Sequence, residues 1–125
     1  MPMEPNPFFQ VEDLEGAVII TLQADLVSNQ TRDLLYEFVD TIKDQPKPYH
    51  VIVDLSPNKA INSRMIAVLI HIQKRIKEAG ATMRLCGMMP QIRTLLDITR
   101  TSGLFQIDNT RKDSLKALGL EPRGV

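Results

Sequence analysis

The stretch from Val51 to Leu69, VIVDLSPNKAINSRMIAVL, confines this chain to a small set of folds, because it joins an apolar strand to an amphipathic helix through a polar turn. Val51, Ile52 and Val53 are consecutive β-branched residues, the pattern of a strand buried on both faces. Asp54 ends the run, and Ser56, Pro57 and Asn58 supply turn chemistry. Ile61 is then a lone apolar anchor, after which Met65, Val68, Leu69, Ile72, Ile76 and Ala79 recur at spacings of three and four on one helix face. Between turn and helix stand Asn62 and Ser63, whose side-chain oxygens suit the free N–H groups of a first helical turn. Either residue can cap the helix. A hydroxyl there also lies at the positive end of the helix dipole, where added phosphate is tolerated, so Ser63 suits a cap and a phosphoacceptor alike.

The rest of the chain supplies elements that alternate around this unit. Phe8–Glu12 and Ala17–Leu22 read as a hairpin closed around Gly16. Ser28 is a good cap for a helix with Leu34, Leu35, Phe38, Val39 and Ile42 on one side, which must stop before Pro46 and Pro48. The helix from Ser63 to Ala79 is closed by Gly80, and Thr82–Cys86 is the next strand. Pro90 opens a helix with Ile92, Leu95, Leu96 and Thr99 on its apolar face. Past a break at Ser102 and Gly103, a short strand is expected over Leu104–Ile107 and a closing helix over Asp113–Leu118. This order predicts a single α/β domain over residues 1–125, with an N-terminal hairpin, about four helices and a mostly parallel sheet of four to five strands. Such sheets bind along the carboxyl edge of their strands, and the turn from Asp54 to Ser63 lies on that edge.

Composition removes several function classes. Lysine plus arginine number 15 and aspartate plus glutamate also 15, so nothing in the balance draws the chain to nucleic acid or to an anionic membrane. No apolar run approaches the roughly 20 residues that span a bilayer, and MPMEPNPFF lacks the features of a leader, so membrane insertion is not expected. Cys86 is the only cysteine, which fits a reduced, cytoplasmic protein. His50 and His71 with that one cysteine do not make a metal site, and no phosphate-cradling glycine loop or serine–histidine motif is present. Neither a cofactor nor an enzymatic activity is expected.

Two features near Ser63 stay open on the residues alone. Arg64 is either a solvated charge of the first turn or a contact to a phosphate or a partner. Ile66 and Ile70 widen the apolar stripe, either as further core or as a face for a partner or a second copy. His71 shares its face with Arg64, Lys74, Arg75 and Glu78 and is expected to be exposed.

The order of elements together with DLSPNKAINS resembles the STAS domain, the family of sulfate transporters and anti-sigma factor antagonists. The family's turn reads Asp-x-Ser, a few variable residues, an apolar residue and then Asp-Ser-Ser-Gly or Asp-Ser-Thr-Gly; Asp54, Ser56, Ile61 and Ser63 fall on matching positions. Pro90, Ile92, Leu95 and Leu96, followed by Ser102, Gly103, Leu104 and Phe105, are similar to its Pro-x-Val helix and closing Gly-Leu-Phe signature. The resemblance implies a non-enzymatic regulatory module whose partner is an anti-sigma factor that is also a serine kinase, with Ser63 the phosphoacceptor. It implies docking through Asn62, Ser63, Arg64, Ile66 and Ile70 and the adjacent edge Leu26, Val27 and Ser28. A scaffold member without phosphorylation, as a homodimer or an assembly of such domains, and a small-molecule-binding domain are the other expectations. Asn62 stands where the family carries an acid, Arg64 a second hydroxyl residue, Met65 a glycine and Val27 an acid, which makes the surroundings of Ser63 less negative.

Overall fold

Val51, Ile52 and Val53 are each fully buried in strand β3 (His50–Asp54), and their alternation divides them between two cores. Val51 and Val53 pack in a large cluster with residues of both long helices, whereas Ile52 packs in a smaller one with Ile19, Cys86 and Leu115. The computed structural model describes residues 9–14, 16–22, 29–44 and 49–120. Around β3 the sheet adds β1 (Phe9–Leu14), β2 (Ala17–Leu22), β4 (Met83–Cys86) and β5 (Gln106–Asp108), lying side by side in chain order. β1 and β2 form the antiparallel hairpin, and every later pairing is parallel.

Four helices cover this sheet: α1 (Asn29–Asp40), α2 (Ser63–Glu78), α3 (Pro90–Ile98) and α4 (Arg111–Ala117). Leu35 and Val39 of α1 and Met65, Val68, Leu69, Ile72 and Ile76 of α2 enter the large core with Val18, Ile20, Leu22, Met83 and Leu85 from the strands. Each such aliphatic side chain contributes about 1.5–3 kcal/mol on burial, so the helix stripe seen in the sequence and the facing strand residues together stabilise that face. α4 lies over the opposite face, where Leu115 meets Ile19 and Ile52.

The mostly parallel α/β sheet with its N-terminal hairpin is as expected, and several boundaries differ. β1 runs on to Leu14 because Leu14 pairs with Ala17 across a tight turn in which Gly16 has φ 84°, a conformation that favours glycine. Ser102–Leu104 forms a 3-10 turn, so the last strand begins at Gln106 rather than Leu104; Phe105 is the buried anchor and Leu104 is half exposed. α4 begins at Arg111 rather than Asp113, because the Thr110 side chain caps it by accepting from the Asp113 amide at 3.1 Å. Phe8, Ser28, Pro46 and Pro48 lie outside the described residues.

Candidate functional site

Ser63 is the first residue of α2, at the end of the connection that leaves β3 on the carboxyl side of the sheet. The cap is Asn62 and not Ser63: Asn62 has an extended backbone and its Oδ1 accepts from the Met65 amide at 2.9 Å, while its carbonyl accepts from Ile66 at 3.1 Å. Ser63 therefore serves no capping role and stands exposed beside the free amides of the first turn. No acidic residue occupies that first turn.

The connection between Asp54 and Asn62 is held at several points. Asp54, which is 5% exposed, accepts the Ser56 amide on Oδ1 at 2.9 Å and the Arg111 guanidinium on Oδ2 at 2.8 Å. Burial alone would raise its pKa, but the bonds from Arg111 and Ser56 outweigh it and hold the carboxyl below the usual carboxylate range. Arg111 also donates to Thr21 Oγ1 at 2.9 Å and to the Glu12 carboxylate, so one α4 side chain ties together β1, β2 and β3. Gly87 makes room for this arrangement: its φ is 73°, and a Cβ there would stand 2.5 Å from Asp54 Oδ1. Further along, Asn58 is 4% exposed and donates from Nδ2 to the carbonyls of Leu22 and Leu55, and Gln91 of α3 donates to the Lys59 carbonyl at 2.8 Å.

The residues expected to meet a partner are brought together only in part. Asn62, Ser63 and Arg64 are exposed at the start of α2, and Arg64 donates to the Asn29 side chain at the start of α1. Ile70 is half-buried against the large core. Ile66 is 6% exposed, so most of its surface is taken up by packing within the chain. Leu26, Val27 and Ser28 lie outside the described residues. Met65, at the position where the family carries glycine, is fully buried in the core. His71 is exposed as expected, yet it is engaged: its ring lies 4.5 Å from that of Tyr36, and its Nε2 accepts from Arg75 at 2.7 Å.

Arg111, Gly87 and Asn58 were not singled out for the site by sequence reasoning. Asn58 reads as an ordinary turn residue. Arg111 meets Asp54 across 57 residues, and no local pattern couples the two. Cys86 is fully buried, with its thiol pushed up to about 12 by burial and then by the nearby Asp54 charge, the character of an inert core thiol. Among the described residues no group of three or more histidine, cysteine, aspartate or glutamate side chains could hold a metal, and no helix is long and apolar enough to cross a membrane. Two open grooves, of about 180 and 490 Å³, run along the second half of α2, and neither is lined by a residue of the Asp54–Arg64 segment.

A five-stranded sheet with this connectivity and a helix start presented at the carboxyl edge is the architecture of a STAS domain. The chain belongs to the STAS domain family, which residues 8–114 match. It is similar to an anti-sigma F factor antagonist of Paenibacillus polymyxa, with 26% identity over 113 residues covering 90% of this chain and 93% of the relative. Among solved structures it resembles an anti-sigma-factor antagonist (STAS) domain protein from Planctomyces limnophilus, at TM-score 0.73 and 21% identity, covering 89% of this chain and 97% of that one. It also resembles the Bacillus cell fate determinant SpoIIAA in its phosphorylated form, at TM-score 0.62 and 12% identity, covering 88% and 98% of the two chains.

Proposed function

We propose that this protein is a non-enzymatic regulatory module of the anti-sigma factor antagonist kind. It docks through the start of α2 on a protein partner that is an anti-sigma factor and serine kinase, with Ser63 as the phosphoacceptor. The observation that carries the proposal is the division of labour at the helix start: Asn62 makes the cap bond, which leaves the exposed Ser63 hydroxyl available to a kinase. The name of the Paenibacillus relative supports the same class of function. A phosphate on Ser63 would add about −1.5 to −2 charge at the centre of the docking surface, enough to abolish an interface by repulsion and desolvation. Asn62, Ser63, Arg64 and Ile70 form the contact surface, with Ile66 contributing its small exposed remainder; Leu26, Val27 and Ser28, expected from the sequence to join it, lie outside the described residues. This function is exercised in the cytoplasm.

The scaffold alternative is favoured by one observation. Arg64, the residue after Ser63, already donates to the Asn29 side chain at the start of α1 and is thus engaged within the chain rather than with a phosphate. Purification from native cells, with intact mass and identification of what co-purifies, separates the two. The switch predicts a kinase partner, a species with one added phosphate on Ser63, and lost binding in Ser63→Asp. A stoichiometric partner whose binding ignores both Ser63→Asp and Ser63→Ala would leave the scaffold.

A further inference from the structure

Asp54 stands where β3 hands over to the connection that ends at Ser63, and its side chain lies on the face of the sheet away from α2. Side chains alternate along a strand, so Asp54 shares the face of Ile52, under α4, whereas Val51 and Val53 face the large core that α2 covers. Thr21 is paired with Asp54 across the parallel β2–β3 ladder, and Glu12 is paired with Ile19, so both lie on that same face. α4 supplies the support for this polar end. Arg111, its first residue, donates from Nε to Asp54 Oδ2 at 2.8 Å and from Nη2 to Thr21 Oγ1 at 2.9 Å, with Nη1 on the Glu12 carboxylate. Asp54 Oδ1 is left for the Ser56 amide, at 2.9 Å.

The two oxygens of one carboxylate thus join an α4 side chain to the backbone of the connection. A carboxylate this buried needs its cation, because once stripped of the partner it turns toward water or takes up a proton. Either change alters the acceptor that Ser56 uses. On one side of Ser56 the Leu55 amide is held by the Cys86 carbonyl at 2.9 Å, and on the other the Asn58 amide is held by the Leu55 carbonyl at 3.0 Å. The Ser56 amide between them is held by Asp54. We propose that Arg111 is a positioning residue for the docking surface: from α4, across the sheet from α2, it fixes the Asp54 carboxylate and with it the turn at Ser56 from which the connection runs to Ser63. This inference rests on the docking reading for its purpose, but the hold on Ser56 is measurable without any partner.

Solvent-exchange NMR on the backbone amides of the full chain provides the test. In Arg111→Met the Ser56 amide is expected to exchange about tenfold faster, the size of change that loss of a bond to a charged acceptor brings. The Leu55 and Met65 amides, held by the Cys86 carbonyl and the Asn62 side chain, should change far less. Arg111→Lys puts one nitrogen where the guanidinium has three, so it should move the Ser56 rate in the same direction and serves if the methionine variant folds poorly. In an Asp54→Ala background the acceptor is already gone, and Arg111→Met should add nothing further at Ser56. A residue that only stabilises the fold would speed Ser56 and Leu55 by one common factor, and that result overturns the proposal. So does a Ser56 rate unchanged in both Arg111 variants, or a further acceleration by Arg111→Met when Asp54 is alanine. Failure of the docking reading would appear separately, as a partner that binds equally well when Ser63 and Arg64 are altered.

Discussion

Replacing Gly87 by alanine tests how tightly the exit of β4 is packed against the Asp54 carboxylate. Two costs add. The backbone at φ 73° is left-handed, which costs a non-glycine residue about 1–2 kcal/mol. The new Cβ would stand 2.5 Å from Asp54 Oδ1, so the buried carboxylate must move, and it gives up the charge-assisted bond from the Ser56 amide, worth about 1.5–3 kcal/mol. The expected loss is therefore about 2.5–5 kcal/mol. In an Asp54→Ala background the clash is gone and the milder contacts to Ser56, at 3.1 and 3.3 Å, need shifts of only a few tenths of an ångström. There Gly87→Ala should cost only the backbone part, about 1–2 kcal/mol. Urea unfolding followed by far-ultraviolet circular dichroism on the four proteins closes the cycle, with an expected coupling of about 1.5–3 kcal/mol. Additivity within about 0.5 kcal/mol would refute the packing account, since it would mean that Asp54 does not occupy the space that glycine leaves.

Asn62→Ala should destabilise the protein by about 1 kcal/mol through loss of the cap, whereas Ser63→Ala should stay within about 0.5 kcal/mol, both read from the urea midpoint. Burial opposes the ionisation of Asp54 but Arg111 and Ser56 overcome it, and Arg84 with Ser114 does the same for Asp108, so both folded pKa values lie below the ordinary 3.8. Their contribution is then fully present above about pH 4 and is lost as pH falls through the lower folded values; acid titration of Asp54→Asn and Asp108→Asn should show a shallower loss than the parent. Arg100 is the only non-glycine among the described residues with positive φ, 60°, at the end of α3, and Arg100→Gly should raise stability by about 0.5–1 kcal/mol in thermal unfolding.

The fold was legible because its signals are local and periodic. Three β-branched residues in a row marked β3, and spacings of three and four marked α2, since each pattern states which faces are covered. The 3-10 turn at Ser102–Leu104 escaped because Leu104 looks like the start of an apolar strand, and only packing reveals that Phe105 is the residue that turns inward. At the candidate site, Ser63 and Asn62 could be found from their types and place before a helix, but which of them makes the cap depends on backbone angles that the sequence leaves open. Arg111 and Gly87 were invisible for a different reason. Their role is to serve Asp54, and the contacts that define it join segments far apart in the chain.

The capping bond made by Asn62 has a bearing on how position 63 can change over evolutionary time. With the helix start stabilised one residue earlier, substitutions at 63 meet little selection from folding, and under the proposed docking role they answer almost wholly to recognition. A lineage could therefore gain, lose or retune a modifiable hydroxyl there in single steps, without first acquiring a compensating stabiliser elsewhere.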